Sequence, residues 1–202
     1  EIINRKGKLR KKKAILYTGR FSKLLQNKGH DVLIKAFTHL FDLGIQDYEL
    51  WLAGSTEMGG NEYIRELKKQ AHDLPISFFT DLPYTSLIDL YRQAMFFWSA
   101  SGYGIDEIRE PEKCEHFGIS LVEAMAAGCI PLTVFKGGFK EIVNNKKTGF
   151  FWDTPQELAK LTFDLIKNPS AITLISQKAK ERSQIYSKEI FISNFLNLIQ
   201  KF

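Results

Sequence analysis

Short apolar runs alternate with amphipathic segments along most of this chain. The run AILYT at 14–18 follows a lysine block and predicts a buried strand. A polar loop through Asn27, Lys28 and Gly29 comes next. From Asp31, the positions Val32, Leu33, Ala36, Phe37, Leu40 and Phe41 recur with helical period and reach a glycine stop at Gly44. The strand signal returns at 48–53 (YELWLA), 76–79 (ISFF), 95–99 (MFFWS), 130–134 (IPLTV) and, more briefly, 149–152. Between these runs the pattern predicts a charged helix over 62–72, a short helix marked by Leu87, Leu90 and Tyr91, a helix over 120–127 and a helical turn at FKEIV. Pro155 stands near the start of a helix reaching Lys167, and two helical segments close the chain. In the last, Phe191, Phe195, Leu198 and Phe202 form one apolar stripe, read as core or as a contact with another domain. Strands alternating with helices predict an α/β, Rossmann-like fold, a mostly parallel sheet with helices on both faces.

Composition refines this picture at the chain ends. A hydrophobic content of 44% with 16 Phe in 202 residues supports one well-filled core with an appendage. The net charge of +5 is concentrated in residues 1–13, where seven Lys or Arg face one Glu, so the rest of the chain is close to neutral. Residues 1–13 are therefore read as a solvated basic linker rather than a nucleic-acid arm, 14–184 as the domain body and 185–202 as a C-terminal helix. Two cysteines make neither a disulfide framework nor a metal-ligand spacing and fit a reducing, cytoplasmic compartment. No apolar run approaches the roughly 20 residues needed to span a bilayer, and no signal-peptide pattern is present. The opening residues read as a linker entering a strand, so a fragment of a longer polypeptide is expected.

In parallel α/β sheets, ligands bind at the carboxyl ends of the strands. Gly19 and Arg20, Gly54 and Ser55, Asp81 to Pro83, Ser99 to Ser101, and Lys136 to Gly138 all fall there. Arg20 and Lys28 flank one polar loop and suit a diphosphate. Phe117, Gly118 and Ile119 open a helix whose unpaired amides favour a phosphate. Glu115 and Glu123 stand eight residues apart and suit vicinal hydroxyls. Glu123 has only Ile119, Ser120, Ala126 and Ala127 at helical neighbour positions, so it is expected to be a buried carboxylate whose partner lies elsewhere. His116 has no ligand spacing around it, Cys114 no adjacent base, and the loop over 100–113, with four acidic residues, is long enough to be functional or a plain insertion. Cations for phosphates beside carboxylates for sugars describe a nucleotide-sugar site.

Here the sequence resembles a known family. Gly19-Arg20-Phe21 with Lys28-Gly29, the Glu115-x7-Glu123 spacing in EHFGISLVEAMAAG, Lys136-Gly137-Gly138, Glu141-Ile142-Val143 and Thr148-Gly149-Phe150 look like the C-terminal, donor-binding domain of GT-B-fold, family 4 retaining glycosyltransferases. The resemblance implies that Arg20 and Lys28 hold the donor diphosphate and offset leaving-group charge, with Glu115 as the third catalytic residue, contacting the donor sugar. It implies that Glu123 takes the ribose, that Gly19 and the backbone of Phe117, Gly118 and Ile119 meet phosphate and sugar, and that the loop near Leu82 and Pro83 seats the base. It implies a UDP- or GDP-type donor, metal-independent transfer without a cofactor, an N-terminal acceptor-binding domain missing from this sequence, and peripheral association of the whole enzyme with the inner face of a membrane. The absence of Asp-x-Asp fits metal independence, and EHFG resembles some mannosyltransferases, which points to GDP-mannose. The chain alone is then expected to bind donor without turnover. An epimerase of the same fold and a non-catalytic nucleotide- or anion-binding module are the alternatives.

Overall fold

A computed structural model describes residues 10–22, 27–56 and 60–200. Six strands form one parallel sheet: β1 (Ala14–Thr18), β2 (Glu49–Gly54), β3 (Ile76–Thr80), β4 (Phe96–Ser99), β5 (Ile130–Val134) and β6 (Phe150–Trp152). Their order is β3-β2-β1-β4-β5-β6, with every neighbouring pair parallel. This is the doubly wound arrangement, and the direction of winding reverses between β1 and β4. All five residues of β1 and of β5 are buried, as expected of central strands covered on both faces.

The helices are α1 (His30–Asp42), α2 (Gly60–Gln70), α3 (Tyr84–Gln93), α4 (Ile119–Ala126), α5 (Phe139–Ile142), α6 (Pro155–Ile166), α7 (Pro169–Ser183) and α8 (Lys188–Ile199). They cover both faces of the sheet: α1 packs on α2 and α6, while α4 packs on α3 and α7. Of the apolar face read for α1, Leu33, Ala36, Phe37 and Leu40 are fully buried and Val32 and Phe41 partly so, and Gly44 closes the helix at φ 92°. Thr154 and Asn168 cap α6 and α7 with side-chain acceptors, each followed by a proline at the first helical position.

Most predicted elements lie within two residues of their place. One differs more. The short helix seen around Leu87 opens at Tyr84, directly after Pro83, because proline presets the backbone for a helix start. Lys11, placed in the linker, reaches into the amino-terminal edge of the sheet. Its Nζ donates to the carbonyls of Ala94 (2.6 Å) and Ala127 (2.9 Å), at the carboxyl ends of α3 and α4, where the helix dipoles favour a cation. Residues 1–9 and Phe202 of the terminal stripe lie outside the described residues. The rest of that stripe is exposed: α8 buries no residue, and Phe191, Phe195 and Leu198 are each more than half exposed.

Candidate functional site

A pocket of about 460 Å³ opens at the carboxyl edge of the sheet, over the point where the winding reverses. Its floor is made by the ends of β1, β2 and β4, through Thr18, Gly19, Ala53, Gly54 and Ser99. The strand ends approach closely there: a Cβ on Gly54 would stand 2.0 Å from the Gly19 carbonyl oxygen, so only glycine lets the two loops cross. Arg20, Lys28, Glu115, Glu123, Ile119 and Leu82 all line this one pocket. Residues as far apart in sequence as Arg20 and Glu123 are thus brought together, both expected cations with both expected carboxylates.

Arg20 is exposed at the rim. Lys28 is mostly covered, and its Nζ stands 3.0 Å from Glu115 Oε2, with 13% and 24% of the two side chains exposed. The cation read for the diphosphate and the carboxylate read for the sugar are ion-paired with each other across the pocket. Glu115 is held by its backbone. Its carbonyl accepts from Gly138 N, and a Cβ on Gly137 would lie 2.2 Å from that same oxygen. The long acidic loop is fastened to this turn, since Glu107 accepts from Gly137 N and pairs with Lys140, which hold its carboxyl below the usual range.

Glu123 departs from its expectation. It sits on the second turn of α4, partly exposed on the pocket wall rather than fully buried. No cation pairs with it among the described residues; its donor is a phenol of α3. Tyr84 Oη donates to Glu123 Oε1 at 2.7 Å. Tyr91, fully buried, is hydrogen-bonded to Thr18 Oγ1 at 2.8 Å and lines the pocket beside Glu123. Burial, with the Glu123 charge beside it, holds the Tyr91 hydroxyl far above its usual titration range, so it remains a donor. Neither tyrosine is among the site residues expected from the sequence; the signal for them is their seven-residue spacing, which puts them on one face of α3.

Gly118 caps α4 at φ 101°, a conformation reserved in practice for glycine, and leaves the first amides of α4 without intrahelical partners at the pocket edge. Phe117 does not line the pocket; its ring meets Tyr186 edge-to-face at 5.6 Å. His116 is exposed, and Cys114 is buried with its thiol pushed up by burial, which disfavours a reactive thiolate. Beneath the Lys28 corner lies His30, ringed by Tyr17, Phe21 and Tyr63. Burial lowers its pKa to about 3, so it is neutral. Among the described residues no group of three or more His, Cys, Asp or Glu is placed to hold a metal ion, and no helix is long and apolar enough to cross a membrane.

The pocket offers cations for phosphate, carboxylates for hydroxyls and a helix start between them. Known proteins resemble the chain as a whole. The chain is 25% identical over 181 residues to the Dictyostelium discoideum GDP-Man:Man(3)GlcNAc(2)-PP-Dol alpha-1,2-mannosyltransferase, covering 86% of this chain and 34% of that protein. The Xenopus tropicalis protein of the same name is 30% identical over 180 residues, with 84% and 35% covered. Among solved structures, Anabaena Alr3699/HepE in complex with UDP-glucose superposes with a TM-score of 0.76 at 21% identity, over 95% of this chain and 49% of that one. The chain spans about a third of the length of these curated relatives and half that of this structural neighbour. Residues 1–182 match the family described as glycosyl transferases group 1, and the chain belongs to that family.

Proposed function

We propose that this chain is the donor-binding, C-terminal domain of a family 4 retaining glycosyltransferase, and that its pocket takes a nucleoside-diphosphate hexose. The observation that carries the reading is the convergence of Arg20, Lys28, Glu115 and Glu123 on one pocket at the switch point of the sheet. Arg20 at the rim and Lys28 inside receive the diphosphate, joined by the first amides of α4 and the backbone of Gly19. Glu123 accepts the ribose hydroxyls. Leu82 and the end of β3 flank the base.

The Lys28–Glu115 pair gives the donor a defined order of contacts. The diphosphate takes Lys28 as its partner, and Glu115, released, accepts hydrogen bonds from the sugar. As the sugar–phosphate bond loosens, negative charge collects on the departing diphosphate, and Arg20 and Lys28 already stand where it develops. Two fixed cations of this kind serve the leaving group without a metal ion. Positioning and electrostatics do the work, and the product keeps the anomeric configuration of the donor.

The relatives named for GDP-Man make a GDP-linked mannose the first donor to try, with a lipid-linked glycan as acceptor at the cytoplasmic face of a membrane. The acceptor half belongs to a second, N-terminal domain, which supplies the other wall of the site, so the isolated chain binds donor and does not turn over. The exposed apolar residues of α8 suit contact with that domain. A thermal-shift screen of UDP, GDP, ADP and their sugars tests the reading. A diphosphate nucleotide should raise the midpoint in a saturable way, by linkage. No shift with any of them at millimolar concentration would refute it.

A further inference from the structure

The assignment of Glu123 to a ribose leaves open what aims its carboxylate. We infer that Tyr84 and Tyr91 are positioning residues that hold Glu123 in the one orientation from which both of its oxygens meet a cis-diol; this rests on the donor reading above. Glu123 sits on a helix wall with freedom about its side-chain bonds and no cation to fix it among the described residues. An ionised carboxylate only accepts hydrogen bonds. Its hydrogen-bond partner on α3 is the Tyr84 phenol, which must therefore donate, and the buried Tyr91 hydroxyl lies beside it. Tyr84, 47% exposed and outside the pocket lining, donates to Oε1 at 2.7 Å from the solvent side. Tyr91 lies on the buried side of Glu123 in the same pocket wall and is itself fixed by Thr18, the last residue of β1, at 2.8 Å. The two phenols thus flank the wall carboxylate, one bonded to it and the other anchored to the strand end that begins the Gly19-Arg20 loop.

Neutral donors suit this task. A lysine or arginine at the same place would neutralise the carboxylate and compete with a diol for it, as Lys28 does for Glu115. A phenol occupies one lone pair and leaves the charge in place, so three of the roughly four lone-pair sites of the carboxylate remain. The orientation is set before the ligand arrives, which removes the ordering cost from binding. Tyr84 and Tyr91 stand at i and i+7 on α3, so one helix face presents both phenols.

The test is a thermodynamic cycle on the whole chain by titration calorimetry. Its probes are GDP and UDP, each compared with its 2′,3′-dideoxy counterpart. In the unaltered protein, loss of the diol should weaken binding of the preferred nucleotide about tenfold. Glu123→Gln should bring that ratio close to one. Tyr84→Phe and Tyr91→Phe keep the rings and their packing and should each lower the ratio to about threefold, with dideoxynucleotide affinity unchanged. A ratio in both phenylalanine variants equal to that of the unaltered protein, alongside a collapsed ratio in Glu123→Gln, would overturn the positioning role while leaving the ribose assignment standing. A full ratio in Glu123→Gln would instead overturn the ribose assignment itself. A change in thermal midpoint without a change in ratio would mark the phenols as merely structural and would also overturn the proposal.

Discussion

Glu115 and Glu123 are the same residue type, eight positions apart, and they face the same pocket, yet their surroundings differ in kind. Glu115 hangs on an irregular segment fixed by backbone contacts to Gly137 and Gly138, and its charge is matched by Lys28 at 3.0 Å. Glu123 rides on a regular helix, and the neutral phenol of Tyr84 rather than a cation holds it, with Tyr91 beside it. A cation-matched carboxylate is released only when another anion takes its cation. A phenol-held carboxylate keeps its charge on offer at all times. On the donor reading proposed above, Glu115 becomes an acceptor only when phosphate takes Lys28, whereas Glu123 has no cation to give up among the described residues, and the difference follows from which neighbouring element each residue meets.

The largest expected effect separates the two segments mechanically. Gly137→Ala places a Cβ 2.2 Å from the Glu115 carbonyl at a position with φ 50°. It should cost about 1–3 kcal/mol of stability, measured by denaturant unfolding, and weaken binding of a nucleotide sugar more than that of the free nucleotide. The dideoxy ratio that reports on Glu123 should stay as it was. A parallel loss on both sides would show that the two carboxylates are not independently mounted.

The corner that carries Lys28 rests on neutral His30, and this sets a pH dependence. Burial, helped by the nearby Lys28 charge, lowers the imidazole from 6.5 to about 3 in the folded chain. The unfolded chain therefore takes up the proton first. The stabilisation is fully present above pH 6.5 and is lost progressively as pH falls towards 3. One pH unit below 6.5 the folding equilibrium should be weaker by nearly tenfold on this account, about 1.4 kcal/mol. His30→Phe, which keeps a ring against Phe21, should flatten stability against pH in that window. An unchanged slope would mean that the imidazole is not held neutral.

A smaller effect, opposite in sign to the usual result of deleting a site residue, comes from Glu115→Gln. Freed of its partner, Lys28 should bind free UDP or GDP about threefold more tightly, a gain of the size expected for a partly exposed ion pair. The extra affinity contributed by the sugar should fall. Weaker binding of the free nucleotide in this variant would remove the gating role.

Much of this was legible in the sequence. The ends of β1 and β5 were placed by periodicity alone, because strands buried on both faces read as unbroken apolar runs. The gathering of Arg20, Lys28, Glu115 and Glu123 followed from the rule that parallel strands collect ligand-binding loops at one edge. What was hidden depended on pairing between distant elements. The partner of Glu123 comes from α3, and that helix begins at Tyr84, three residues before the first apolar position that marks it. The Lys28–Glu115 pair joins residues 87 positions apart. Lys11 reads as one charge in a basic block, and its place at two helix ends is set by packing that no local pattern reports.

The account turns on the pocket being the seat of a nucleoside diphosphate. Titration calorimetry of the chain with GDP and UDP, repeated with Arg20→Ala and Glu123→Ala, tests this directly. Single-site binding that each substitution weakens about tenfold, roughly 1.4 kcal/mol, is the predicted result. Equal affinity in all three proteins would contradict it.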